Sequence, residues 1–247
     1  MRLRFLFLIC YISISLFTNT CNHSTNKQEE ATVDGQPNTI VKRRDDGTVS
    51  SVNQVDELGR VHGVRVTYFS DGKTIFTKFT FKHGKKEGPS IRYYDNGQIF
   101  EHASFKGGKR DGLTRKYHKS GELLAEFKYR DGIALPGLLE YDITGNQLTS
   151  YPEIHFREMN HLASKNRIDL EIYSPEKKRG IKYYLIETIE GERSRTYLIS
   201  EKSAASLQYY VKPGDSLNKK VEIEAQIPTE LGNTMIQIHS YNLTVSH

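Results

Sequence analysis

The chain has no tryptophan, and its two cysteines, Cys10 and Cys21, both fall in the first 21 of 247 residues. Nothing after Cys21 can close a disulfide, hold zinc through thiolates or act as a cysteine nucleophile. Charge of one sign is not in large excess: 35 lysines and arginines stand against 30 acids, for a net +5. Setting aside Arg2 and Arg4 at the N-terminus leaves +3, and the cations are interspersed with acids, so no dedicated basic face for nucleic acid is expected. Motifs of catalysis are also missing. The stretch KGGKRDG from Lys106 has no GK[ST] after it, and there is no G-x-S-x-G elbow or Ser-His-Asp order. His155 and His161 bracket Glu158 without a spaced third ligand, and His102 and His118 read as polar surface, so neither a metal nor any other cofactor is expected. What the chain does have is tyrosine and phenylalanine, 15 and 11 residues, a composition that favours β-structure in a non-enzymatic protein.

The N-terminus reads as an address. Arg2 and Arg4 precede an apolar run from Phe5 to Phe17, then Thr18-Asn19-Thr20 leads to Cys21. This is the order of a secretory signal, and the run is too short for a comfortable transmembrane helix. Cys21, directly after that run, resembles the acylated cysteine of bacterial lipoproteins. Thr18 and Thr20 depart from the aliphatic and small residues usual there. The resemblance implies cleavage before Cys21, a lipid anchor, and a place in the bacterial cell envelope at the outer membrane; a secreted protein is the alternative. The polar stretch that follows reads as a disordered tether, so residues 1–20 are assigned to the signal and 21–54 to the lipidated cysteine and tether.

From residue 55 the chain repeats. Tyr68, Tyr93, Tyr117 and Tyr141 are each followed four residues later by glycine, at Gly72, Gly97, Gly121 and Gly145. Each is also preceded by a glycine, at Gly63, Gly88, Gly112 and Gly137. Turns SDG, DNG, KSG and ITG separate segments of period two, such as Val64-Val66-Tyr68 against Arg65-Thr67. Tight turns joining alternating segments make β-hairpins, and a hairpin that is marginal alone needs its neighbours. Phe79 and Phe81, Ala103 and Phe105, and Phe127 and Tyr129 are expected to form columns along the array. The tyrosines are expected to pack rather than bind.

These units resemble MORN repeats of the bacterial variant, with G-x-x-x-x-Y-x-x-x-G cores and basic links KHGKKEG (82–88) and KGGKRDG (106–112). The resemblance covers about 55–150 and implies an antiparallel sheet used for binding or scaffolding. The variant's antitoxin-like label implies the alternative of an antitoxin or immunity protein that neutralises a toxin by direct binding. The last unit departs, with a Gly-to-Tyr gap one residue shorter and GIALPG in place of a basic link, and reads as a cap. Lys85, Lys86, Lys109 and Arg110 of the links would recur along one sheet edge, as contacts for an anionic surface.

Residues 151–247 carry alternating runs instead. Ile168, Leu170 and Ile172 are expected inward with Asp169 and Glu171 outward, as are Val221, Ile223, Ala225 and Ile227. TMIQIHSYNLTV alternates and then shifts near Ser240, which suggests a bulge. Six or seven short strands predict a β-sandwich, immunoglobulin-like in outline. The whole is read as an all-β, membrane-anchored binding module with an unknown protein or glycan partner.

Overall fold

The computed structural model describes residues 38–201 and 203–247. The signal, Cys21 and the first half of the tether lie outside the described residues. Twelve strands make one antiparallel sheet: β1 (Thr39–Arg43), β2 (Val49–Val55), β3 (Val61–Tyr68), β4 (Ile75–Lys82), β5 (Lys85–Tyr93), β6 (Ile99–Lys106), β7 (Lys109–Arg110), β8 (Gly112–Tyr117), β9 (Leu123–Arg130), β10 (Ile133–Ala134), β11 (Leu139–Tyr141) and β12 (Gln147–Leu148). Its path follows chain order from β1 to β12, with the short β7 and β10 pairing beside β6 and β9, so the sheet is a meander.

The sheet starts earlier than the repeat did in sequence. Thr39 to Val55, all but its last residue read as tether, forms the hairpin β1–β2, and Val52, Ser51 and Asn53 are buried in it. This hairpin is a degenerate first unit. Gly47 stands 25 residues before Gly72, and Asn38, at φ 63°, stands 25 before Gly63. Arg43 occupies the tyrosine position, which hid the unit. Asn tolerates the left-handed backbone that the link glycines supply elsewhere.

The predicted turn glycines Gly72, Gly97, Gly121 and Gly145 all sit at positive φ, from 66° to 108°. Each donates its amide to the carbonyl three residues back, as Gly47 does to Arg44. Gly72 is tight: a Cβ there would come within 2.9 Å of the Thr48 side chain.

The remaining strands form two four-stranded sheets. One is built from β13 (His155–His161), β14 (Arg167–Tyr173), β17 (Ser200–Glu201) and β18 (Ala204–Tyr210); the other from β15 (Lys182–Ile189), β16 (Glu192–Leu198), β19 (Ser216–Pro228) and β20 (Thr234–Ser246). A one-turn helix, α1 (Leu162–Lys165), joins β13 to β14 and ends on Asn166 in the left-handed conformation. Lettered in chain order A to G, with β16 as C′, the sheets run A-B-E-D and C′-C-F-G, an immunoglobulin-like arrangement. In place of tryptophan, Tyr183 on β15 fills the centre. It has no exposed surface, donates to the Ser203 carbonyl at 3.1 Å, and burial pushes its hydroxyl up to about 12.

Two expectations about this half are corrected. β20 pairs with β19 over thirteen residues with no register shift. The apparent shift near Ser240 arises because Gln237 and His239 share the face of Met235 and Leu243. They are satisfied there, Gln237 by the Pro152 carbonyl and His239 by Gln237. Asp169 is not outward but buried, held by Arg167 with Nε 2.7 Å from Oδ1. Charge pairing, invisible to an alternation rule, sustains it there.

The meander and the sandwich share one core. Ala125 and Leu138 of the meander cluster with Ile154, Leu170, Ile223 and Met235. Glu140, 1% exposed, accepts from Thr229 Oγ1 and Asn233 Nδ2, both at 2.7 Å. Burial and this carboxylate push the neighbouring Tyr151 hydroxyl up to about 12. The last repeat unit therefore ends against the sandwich.

Candidate functional site

Residues paired across an antiparallel ladder stand on the same face. The register Arg65↔Phe79↔Ser90↔Ala103 therefore runs along one face of the meander, and so does Thr77↔Arg92↔Glu101↔Lys116. The same face carries Phe81 opposite Lys86, Phe105 opposite Arg110, and Phe127 opposite Thr114. The floor is small and polar: Thr77, Ser90 and Thr114 are buried beneath the longer side chains. Small floor residues let the aromatic and cationic side chains lie across them.

These side chains form a ladder. Phe79 meets Phe81 and Phe105 edge-on, at 6.5 and 6.1 Å between ring centroids, and Phe127 meets Tyr129 at 5.7 Å. Lys86 Nζ lies 4.0 Å from the centre of Phe79 and 4.9 Å from that of Phe105. The Arg110 guanidinium lies 5.6 Å from Phe105 and 5.5 Å from Tyr129, and Lys116 Nζ lies 5.5 Å from Phe127. A ring face attracts a cation without cancelling its charge.

Four cations, Lys86, Arg92, Arg110 and Lys116, thus lie around one buried carboxylate, Glu101, which Arg110 Nη2 meets at 2.7 Å and Arg92 at 4.0 Å, and Arg65 acts on Lys86 from the β3 side. A second carboxylate, Glu140, is engaged at the sandwich end, where Lys116 Nζ also donates to Asn233 Oδ1 at 2.7 Å. Burial, then the nearby Arg110, Arg92 and Arg65, push the Lys86 ammonium pKa down. Lys116 is lowered too, chiefly by burial. Among the described residues, the buried donors Arg65 Nε and Arg110 Nη1 meet no acceptor.

The link cations therefore divide. Lys86 and Arg110 fold onto the aromatic face, whereas Lys85 and Lys109 are exposed at the turns, so the four do not form one edge row. Period two of the strand separates each neighbouring pair. The link acids serve the backbone. Glu87 Oε2 accepts from the Gly107 amide at 2.7 Å, and Asp111 Oδ2 from the Asp131 amide at 3.1 Å.

The repeat tyrosines pack. Tyr68 is buried with Val52, Val66 and Ile75, and Tyr93 lies against that cluster. Tyr117 and Tyr141 are half-buried. Their backbones do more than their rings. The Tyr68 carbonyl accepts from Arg44 at 2.8 Å, that of Tyr117 from the Tyr94 hydroxyl at 2.9 Å, and that of Tyr141 meets His118 Nε2 at 3.1 Å. At three of the four junctions, all but that of Phe69, the residue after one tyrosine position thus reaches the next tyrosine's carbonyl, a contact no residue-type pattern reveals.

The two histidines of β13 stand apart. His155 lies beside Glu153 and His161 beside Asp169, at opposite ends of β13. A cleft of about 650 Å³ on the sandwich is lined by Lys177, Arg179, Lys182, Tyr197 and Ser203, among others, and brings no histidine to a serine or carboxylate. Among the described residues no helix is long and apolar enough to cross a membrane.

A family model described as MORN repeat variant matches residues 86–106, the β5–β6 hairpin. No curated protein matches the chain. The MORN-repeat character of the meander rests on that match, together with the recurring turns and links around it.

Proposed function

We propose that this chain is a non-catalytic binding and scaffold module whose aromatic face takes an acidic protein segment, and that a lipid on Cys21 holds it at the cell envelope. The carrying observation is the ladder itself: cations laid over rings and crowded by one another, with two guanidinium donors lacking an acceptor. An incoming carboxylate would relieve that crowding through charge-assisted bonds to the cations of the face. A broad sheet face suits an extended segment better than a compact ligand. The repeat match supports a binding or scaffold role, and the anchor rests on the order of residues 1–21.

The test is binding of a labelled poly-glutamate peptide, with poly-lysine as control, to the chain and to a Lys86→Gln/Arg92→Gln variant. Affinity for poly-glutamate should fall with salt and drop about tenfold or more in the variant, with melting unchanged. Equal binding by both proteins would sink the face as the site, and preference for a sulfated glycan would replace the acidic segment. Labelled palmitate incorporation, compared with Cys21→Ala, tests the anchor separately.

A further inference from the structure

Three atoms that carry lone pairs converge at the first link of the sheet. Asp56 closes the turn between β2 and β3, its Oδ1 accepting from the amides of Leu58 and Arg60 at 3.1 and 3.0 Å. Those bonds fix the carboxylate. Its Oδ2 lies 3.1 Å from Nδ1 of His83, which opens the β4–β5 turn at φ 48°. His83 Nδ1 in turn lies 3.4 Å from Nδ1 of His62 on β3. The three ligand atoms all fall within 4.8 Å of one another, and the imidazole centroids are 4.6 Å apart.

These contacts cannot all be hydrogen bonds. Asp56 Oδ2 needs a proton on His83 Nδ1, whereas Arg60 Nη2, at 3.2 Å, needs a lone pair on the same atom. Either tautomer leaves one contact unmade. A divalent cation accepts all three lone pairs together. With zinc bonds of about 2.0–2.2 Å, the ligand atoms of a tetrahedron stand roughly 3.3–3.6 Å apart. The two measured edges, 3.1 and 3.4 Å, lie close to that spacing.

The repeat shows why this link differs from the others. His62 precedes link glycine Gly63, the slot that Glu87 and Asp111 occupy before Gly88 and Gly112. There the acids hook the amides of Gly107 and Asp131, which are the later equivalents of His83. At the first link both members of the hook are histidines, and the preceding turn adds a carboxylate.

We propose that Asp56, His62 and His83 form a binding site for a zinc-class divalent cation, with a fourth position open to water or to a partner's ligand. Bound there, the ion ties the β2–β3 turn to the β4–β5 turn. Arg60 is the resident competitor, its Nε 2.9 Å from Asp56 Oδ2. Its side chain is 48% exposed, which leaves it room to swing into solvent. The site uses none of the residues of the aromatic face, so it stands or falls independently of the proposed partner.

The test is zinc titration of the purified chain against a chromophoric chelator, with cobalt absorption reporting coordination geometry. One equivalent should bind, and cobalt should give the intense visible bands of a four-coordinate ion. Loss of an outer partner of a ligand typically costs 10–100-fold in affinity, so His62→Ala and His83→Asn should each weaken zinc binding at least about tenfold. Asn is chosen at position 83 because it tolerates the positive φ. Arg60→Ala should tighten binding, and all three variants should still melt cooperatively in chelator with only a small loss, since the contacts removed are exposed. Absence of zinc binding, or zinc binding that survives both histidine variants, would overturn the proposal.

Discussion

The sandwich and the meander solve the same problem of burying β-strands with opposite means. The sandwich closes two sheets over one interior, and Leu170, Ile172, Tyr183, Ile223, Ile227 and Leu243 have no exposed surface. The described core of the meander's N-terminal half is a small cluster around Val52, Val66, Tyr68 and Ile75, and its opposite face carries rings and cations over a polar floor. Order in the meander comes instead from one unit gripping the next. Gly84, Gly108 and Gly132 donate to the carbonyls of Val61, Lys86 and Arg110, while the tyrosine carbonyls receive side chains at the other edge. Apolar closure supplies stability and leaves little for recognition. Backbone gripping frees a whole face for recognition at the cost of a thin core.

The same substitution placed in each region should expose the difference most sharply. Ile223→Ala, in the fully enclosed sandwich, should cost about 4 kcal/mol. Ile75→Ala, in the one-sided meander cluster, should cost about 2 kcal/mol, because neighbours there can relax into the space. Urea midpoints measure both, and equal losses would erase the distinction drawn here.

A smaller effect separates gripped from ungripped turns within the meander. Gly145→Ala faces open space and pays only for its left-handed backbone, about 1 kcal/mol. Gly72→Ala adds contacts at 2.9 Å to the Thr48 side chain and 3.0 Å to the Val49 amide nitrogen, and should cost roughly 2–3 kcal/mol. Thermal unfolding of the two variants side by side reads the gap.

The smallest effect is electrostatic. Asp142 holds its turn by accepting from Thr144 and Asn146, which lowers its carboxyl to about 2, and His83 and Arg60 help to bring Asp56 to about 2. A carboxyl depressed in the folded state stabilises above its unfolded value near 3.8, and that contribution is lost as pH falls toward 2. Comparing urea midpoints at pH 5 and pH 2.5, Asp142→Asn should narrow the difference slightly relative to the unaltered chain. An identical difference in both would remove Asp142 from the acid response.

Much of this architecture was legible because glycine and tyrosine recur where geometry demands them. Gly72, Gly97, Gly121 and Gly145 announce positive φ, and the Phe79–Phe105 column announces a shared face. The first unit escaped because Asn38 and Arg43 satisfy the same backbone needs without the same letters. Asp169, Gln237 and His239 escaped because alternation counts polarity, whereas a buried polar group depends on partners far along the chain. The aromatic face was half visible. Period two separates Lys86 from Lys85, but only three-dimensional register lays Lys86 across Phe79. Asp56, His62 and His83 are invisible as a spacing, since 27 positions separate the first from the last.

Because every grip reaches to the equivalent position in the next unit, about 24 residues on, the sheet can gain or lose whole units while every remaining grip finds its counterpart. Each unit contributes two strands, and strands stand about 4.8 Å apart, so the array extends in steps of about 10 Å. The distance from the N-terminal hairpin to the sandwich is then an adjustable ruler, graduated in whole hairpins, and a fraction of a hairpin is not an available length.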